Sequence, residues 1–223
     1  MNYHIEFDLD FKRNEFPGCF IALEGIDGSG KSTQAEALRD VLTKQGRTVI
    51  LKHPFEGEIG GFVRKILAGE KKVPPVALQH LISANRNVQQ VEIIESLKNG
   101  TDVIIDRYFW SAVAYGILDV SGEANEQTAN QLLIGQSILS MYHQFLMPDI
   151  TFYLKISPKT AMERLSDMEK ELEIYESEAK IRKISEIYDW LLKQFPKEFR
   201  IIDGEKPVEE VTEQMAMLVA SRK

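Results

Sequence analysis

Short apolar runs alternate along this chain with longer segments whose apolar residues recur every third or fourth position. The runs Cys19–Leu23, Thr48–Lys52, Val103–Asp106, Ile150–Ile156 and Phe199–Ile202 read as buried strands. The segments between them read as helices. Ala35, Leu38, Val41 and Leu42 give Thr33–Lys44 one apolar face, and Gly46 stops it. Ile59, Phe62, Val63 and Ile66 predict a short helix over 59–67. A long helix then runs to about Asn99, with Val88, Val91, Ile94 and Leu97 expected to face inward. Further helices are expected over 111–117 and 126–145, from Pro158 to about Leu165, over 178–195, and from Pro207 onward. This order predicts an α/β fold: a five-stranded parallel sheet with helices on both faces. His4 to Phe11 alternate strictly between polar and apolar, which predicts an extra N-terminal edge strand or hairpin. Ser166–Glu176 is the most charged stretch and reads as a mobile segment.

Composition narrows the classes. The 223 residues suffice for one domain with a sizeable core. The net charge of −7 and the absence of a basic run argue against a nucleic-acid partner. Cys19, the one cysteine, permits no internal disulfide and suits a cytoplasmic protein; it reads as a small buried hydrophobe. Residues 1–18 lack the basic and apolar regions of a signal peptide, and no apolar run approaches membrane-spanning length, so no membrane partner is expected.

Candidate chemistry begins where the first strand ends. Gly25-Ile26-Asp27-Gly28-Ser29-Gly30-Lys31-Ser32 fits G-x-x-x-x-G-K-[ST], with a strand before it and a helix from Thr33 after it. Glycines let backbone N–H groups cradle phosphates, the lysine reaches the β- and γ-phosphates, and the hydroxyl ligates Mg²⁺. Asp106-Arg107-Tyr108 ends the third strand. Ligand crevices of open α/β sheets lie at the carboxyl ends of strands, so Asp106 and Arg107 are expected beside that loop. Asp106 suits a Mg²⁺ water shell and Arg107 a bidentate grip on phosphate. Arg86, within Ser83-Ala84-Asn85-Arg86 on the long helix, reads by itself as a surface residue.

The segment Phe20 to Gln34 resembles the opening of thymidylate kinases. Ser83-Ala84-Asn85-Arg86, Asp106-Arg107-Tyr108 with Ser111, Ala114 and Tyr115, Pro148-Asp149-Ile150, and Ile202-Asp203-Gly204 are similar to the same family. The resemblance runs from about Phe20 to the C-terminus. It implies a P-loop nucleoside monophosphate kinase domain over 19–223, with a lid at about 166–176, behind an N-terminal extension of residues 1–18. It implies transfer of the γ-phosphoryl group of ATP to dTMP, giving dTDP for dTTP synthesis, with Mg²⁺, in a cytoplasmic homodimer. Gly25 to Thr33 would bind ATP, and Ser32 and Asp106 the metal. Asp27 would meet the deoxyribose 3′-hydroxyl or the metal shell. Arg86 would read the base edge, Arg107 hold the acceptor phosphate, and Tyr115 pack where a 2′-hydroxyl would clash. Lys31, Arg107, Arg164 and Asp27 are the expected catalytic set, and Phe55, Ile82 and Ser111 complete the substrate site.

There are three departures from the family pattern. The phosphate loop has no arginine, and the lid pattern has Ile174 where an arginine is expected, leaving Arg164 and Lys170 nearby. Ile82 stands where an aromatic stacks on the base. Lys52-His53-Pro54-Phe55-Glu56-Gly57 lacks the arginine that usually flanks the proline. Three other readings stay open: a deoxynucleoside kinase, using Glu56 or Glu58 as base, another pyrimidine monophosphate kinase, and a non-catalytic nucleotide-binding switch. A GTPase would want an Asn-Lys-x-Asp motif, which the sequence lacks.

Overall fold

The computed structural model describes residues 8–121, 129–167 and 177–221. Five parallel strands, β1 (Phe20–Glu24), β2 (Val49–Lys52), β3 (Asp102–Asp106), β4 (Ile150–Lys155) and β5 (Arg200–Asp203), form one sheet in the order β2-β3-β1-β4-β5. The helices are α1 (Lys31–Lys44), α2 (Gly57–Leu67), α3 (Pro75–Lys98), α4 (Phe109–Ser121), α5 (Ala129–Tyr142), α6 (Pro158–Ser166), α7 (Glu178–Gln194) and α8 (Val208–Ala220). The strand alternation sorts side chains to the two faces. Ile21, Leu23, Ile104, Phe152 and Leu154 meet α1 and α8 through Leu38, Leu42, Met215 and Val219. Phe20, Ala22, Val103, Ile105 and Tyr153 face the larger layer formed with α2, α3, α4, α5 and α7. Leu38 and Leu42 are wholly buried. Each contributes about 2 kcal/mol, which outweighs helix-propensity differences of roughly 0.7 kcal/mol or less per residue.

β1 lies centrally between β3 and β4. Leu23 is in register with Asp106, and Glu24 with Tyr153. The loop after β1 and the Asp106-Arg107 step therefore leave the sheet side by side, and the backbone N–H of Arg107 donates to the Leu23 carbonyl at 2.9 Å.

The long helix α3 corrects the inward face expected from the valines. Val88 and Val91 are 64% and 71% exposed, while Ile82, Asn85, Arg86, Gln89, Gln90, Ile93 and Leu97 are buried. Ile94 is half-buried. The polar residues go inside because they are hydrogen-bonded there. Asn85 donates to the Pro54 carbonyl and Gln89 to the His53 carbonyl, tying down the loop after β2. Gln90 donates to the Tyr108 hydroxyl and accepts from the Leu146 N–H.

Of the alternating N-terminal stretch, residues 4–7 lie outside the described residues, and residues 8–11 form no strand. The apolar members pack on the core instead: Phe11 stacks on Phe109 with ring centroids 6.0 Å apart. Pairing is limited to an isolated bridge between Lys12 and Leu146. Of the lid expected at about 166–176, Ser166 closes α6, and residues 168–176, with Lys170 and Ile174, lie outside the described residues.

Candidate active site

The loop between β1 and α1 turns through Gly28 and Gly30, whose φ angles are 78° and 84°. Gly28 is also held close to α6: a Cβ there would lie 2.6 Å from the Ala161 carbonyl oxygen. α1 begins at Lys31 with no side-chain cap on its first N–H groups. Such an N-terminus is a ready anion site. Lys31 is buried and donates to the Ile26 carbonyl at 2.8 Å and to Ser29 Oγ at 3.2 Å. Burial, and then the nearby charge of Arg107, lowers its ammonium to about 8 against the pull of Asp27, Asp106 and Glu24. Ser32 donates its hydroxyl to Asp106 Oδ2 at 2.5 Å, and the other oxygen of Asp106 is buried without a hydrogen-bond partner among the described residues.

Arg107 adopts a φ of 65°, the one non-glycine residue with positive φ among those described. This left-handed backbone costs about 1–2 kcal/mol, and such strain clusters at functional sites. The side chain pairs with Asp27 and donates to the Gly25 carbonyl at 3.1 Å and Ser111 Oγ at 3.3 Å. Tyr115 donates to Asp27 Oδ2 at 2.6 Å. Burial pushes the Asp27 carboxyl up, but Arg107, Lys31 and the Tyr115 hydrogen bond outweigh it and hold it below the ordinary aspartate range. Burial disfavours the Arg107 charge, but Asp27 leads the groups that keep it firmly protonated.

Asp27, Phe55, Ile82, Arg86, Arg107, Ser111 and Tyr115 line one cleft with Leu67 and Ala112. Arg86 is only 2% exposed, not the surface residue its helix position alone suggested; its guanidinium lies over the Tyr142 ring, and its Nε has no hydrogen-bond partner among the described residues. Through Asp27, Phe55, Leu67 and Arg107 this cleft joins a larger one lined by Gly28, Gly30, Lys31, Ser32, Thr33, Asp106 and Arg164. Arg164 reaches from α6 to the carbonyls of Gly28, at 3.5 Å, and Gly204, at 3.0 Å. A third groove lies beyond it, walled by Gly30, Thr33, Gln34, Arg164 and the 204–208 turn. Ser29 and Ile26 are buried and contribute their backbone to the loop.

The thymidylate kinase family model matches residues 23–215. The chain belongs to the thymidylate kinase family. It is 32% identical to the thymidylate kinase of Leptospira borgpetersenii serovar Hardjo-bovis, over 87% of this chain and 90% of that one. It is 34% identical to that of a Thermoanaerobacter species, over 84% and 90%. The solved thymidylate kinase of Candida albicans superposes with a TM-score of 0.77 at 26% identity, covering 92% of each chain.

Several residues that hold this family site together escaped the sequence reading. Glu24, fully buried, accepts from the N–H groups of Tyr108, at 2.9 Å, and Ser111, at 3.2 Å, and from the hydroxyls of Ser111 and Tyr188. It thereby fastens the start of α4, and with it Ser111 and Arg107, to the end of β1 and to α7. A charged residue closing an apolar strand was its one signal. Gln79, Gln89 and Gln90 recur with Arg86 at helical spacing, a polar stripe that sequence alone assigns to solvent. Arg64, from α2, also reaches the larger cleft and donates to the Phe55 carbonyl.

Proposed function

We propose that this member of the thymidylate kinase family transfers the γ-phosphoryl group of ATP to dTMP, giving dTDP. One observation carries the reading: the cleft lined by Arg86, Ile82 and Tyr115 opens through Arg107 and Asp27 directly onto the phosphate loop. A monophosphate held at Arg107 there faces a triphosphate held at Lys31. Phosphoryl transfer asks the protein mainly for alignment and neutralisation of charge. Lys31, Arg107 and Arg164 all border the joined clefts and supply that cationic clamp.

In this reading the loop Gly25–Ser32 and Thr33 cradle the ATP phosphates, and the groove at Gly204–Val208 takes its nucleoside. Arg107 grips the acceptor phosphate, Arg86 orients the base, and Phe55 and Ile82 sandwich it. Asp27 and Tyr115 meet the sugar. Ser32 and Asp106 fit Mg²⁺: they are a hydroxyl and a carboxylate with one oxygen unpaired, the hard oxygen donors that ion takes. When bound there, Mg²⁺ neutralises phosphate charge. The domain is proposed to span 19–223, with residues 1–18 as an extension and a lid at about 166–176.

The reading includes a homodimer. Ile59, Ala84, Val88 and Val91 line a shallow exposed groove on α2 and α3, an apolar face that a second copy would cover. Sedimentation tests it: a Val88→Lys variant sediments as a monomer if that face is the contact. No described helix is long and apolar enough to cross a membrane. Action in the cytoplasm is proposed from the single buried cysteine.

The test is a coupled ADP-release assay with ATP and each nucleoside monophosphate in turn. dTMP is expected to give the highest kcat/KM. A preference for dCMP or a purine monophosphate contradicts the thymidylate reading and leaves the kinase reading standing.

A further inference from the structure

We propose that Gln79 reads the acceptor's base, its side-chain amide pairing with the N3–H and an adjoining carbonyl oxygen of a thymine-type ring. The inference rests on the acceptor reading above and adds a residue to it. Gln79 is 6% exposed, and neither Oε1 nor Nε2 has a hydrogen-bond partner among the described residues. Buried side-chain amides are nearly always paired within a protein. One with both ends unpaired calls for a partner, and a ligand in the adjoining cleft would supply it.

Its place supports this. Positions 79, 82 and 86 share a face of α3, and Ile82 and Arg86 line the acceptor cleft. Opposite stands Gly116 of α4, where a Cβ would lie 3.1 Å from Gln79 Nε2. Tyr115 and Ala112, on the same stretch of α4, line that cleft too. Arg107 precedes the start of α4, and Gly116 lies about two turns into that helix. Gln79 is not itself part of the cleft lining; it sits behind it against Gly116, next to the lining residues Ile82, Ala112 and Tyr115 and on the side away from the phosphate loop.

The chemistry is complementary. Arginine carries donors only, so Arg86 serves ring carbonyl oxygens and leaves the N3–H of thymine needing an acceptor. Oε1 of Gln79 supplies one, while Nε2 donates to a neighbouring oxygen. Gln89 does not compete for this role, because its Nε2 is committed to the His53 carbonyl at 2.8 Å. An amide can also turn about and present its ends in reverse to cytosine. Gln79 therefore supplies affinity for the base, and Arg86 the choice between bases.

The experiment compares wild type with Gln79→Met in turnover of dTMP and in inhibition by 2-deoxyribose 5-phosphate, which keeps the sugar and phosphate and lacks the base. The expected result is a KM for dTMP raised about tenfold or more, the loss of a bidentate pair, with kcat within about threefold. The inhibition constant of 2-deoxyribose 5-phosphate stays unchanged. A distorted cleft would weaken both ligands alike, and that outcome overturns the proposal, as does an unchanged KM. Should Gln79→Met not accumulate in folded form, Gln79→Leu is measured in the same way. Wild type that fails to turn over dTMP overturns the acceptor reading and this proposal with it. Normal wild-type turnover with no effect of the variant overturns this proposal alone.

Discussion

Tyr115 donates its phenol to Oδ2 of Asp27 across 2.6 Å, and the other carboxylate oxygen of Asp27 receives the guanidinium of Arg107. The ring of Tyr115 lies under that guanidinium, 5.1 Å from ring centre to carbon. α4 and the phosphate loop are thereby locked together, at the point where the acceptor's sugar is proposed to lie.

This lock makes the sugar preference testable. Tyr115 is fixed by Asp27, so it cannot swing aside for a 2′-hydroxyl. Wild type is expected to use dUMP at least about tenfold better than UMP in kcat/KM, and Tyr115→Ala to narrow that ratio while weakening both. Equal use of the two sugars by wild type would remove Tyr115 from the role.

Lys31 sets a pH limit. Its ammonium is lowered to about 8, so charge is present below that pH and is lost as pH rises through it. Capture of ATP phosphates by the free enzyme needs the charged form. kcat/KM for ATP is expected to hold steady below about pH 8 and to fall about tenfold per pH unit above it. Lys31→Ala should lose at least about 10³ in kcat while circular dichroism reports an intact fold. A profile that stays level to pH 10, or near-normal turnover of the variant, contradicts the assignment.

Arg164 is proposed to take over from the missing loop and lid arginines. It ends one turn of α6 away from the Ala161 contact and is anchored on Gly28 and Gly204. An arginine on the transferring group is worth about 10³–10⁵ in rate. Arg164→Ala is expected to lower kcat by at least about 10² and to leave the KM for dTMP within about threefold. A two- or threefold loss in kcat would show that transfer proceeds without it.

The sheet and the phosphate loop were legible because both are written locally. β1 and β3 are apolar runs, and Gly28, Gly30 and Lys31 act through the backbone of one short loop. Arg107 was reached from its place at the end of the third strand, and Ser111 and Tyr115 through their family resemblance; the structure brings all three to one cleft. α3 was misread because hydrophobic periodicity assumes that polar residues face water. Asn85, Gln89 and Gln90 face inward because partners on other elements satisfy them: the loop carbonyls of Pro54 and His53, and Tyr108. No local pattern announces such partners. Glu24 was missed for the same reason, since its four donors come from Tyr108 just before α4, from α4 and from α7.

Ile82 predicts a looser hold on thymine. It is 6% exposed and lines the cleft with Phe55. Aromatic–base stacking is worth roughly 1–3 kcal/mol, and isoleucine recovers part of it through apolar contact. Ile82→Phe is expected to tighten dTMP about fivefold, a gain of about 1 kcal/mol, and to leave the order of dTMP, dUMP and dCMP unchanged. Calorimetric titration of the three measures it. Weaker dTMP binding would mean that Phe55 and Arg86 already fill the space a second ring needs.

The account's central claim is that the acceptor atom is a phosphate oxygen of dTMP, and the most direct test is to follow the transferred group. ATP carrying radioactive phosphorus in its γ position is incubated with the enzyme and either dTMP or thymidine, and the products are separated. The account predicts labelled dTDP from dTMP, with the label in its β-phosphate, and no labelled product from thymidine. Labelled dTMP formed from thymidine, or label recovered as free phosphate alone, would contradict it.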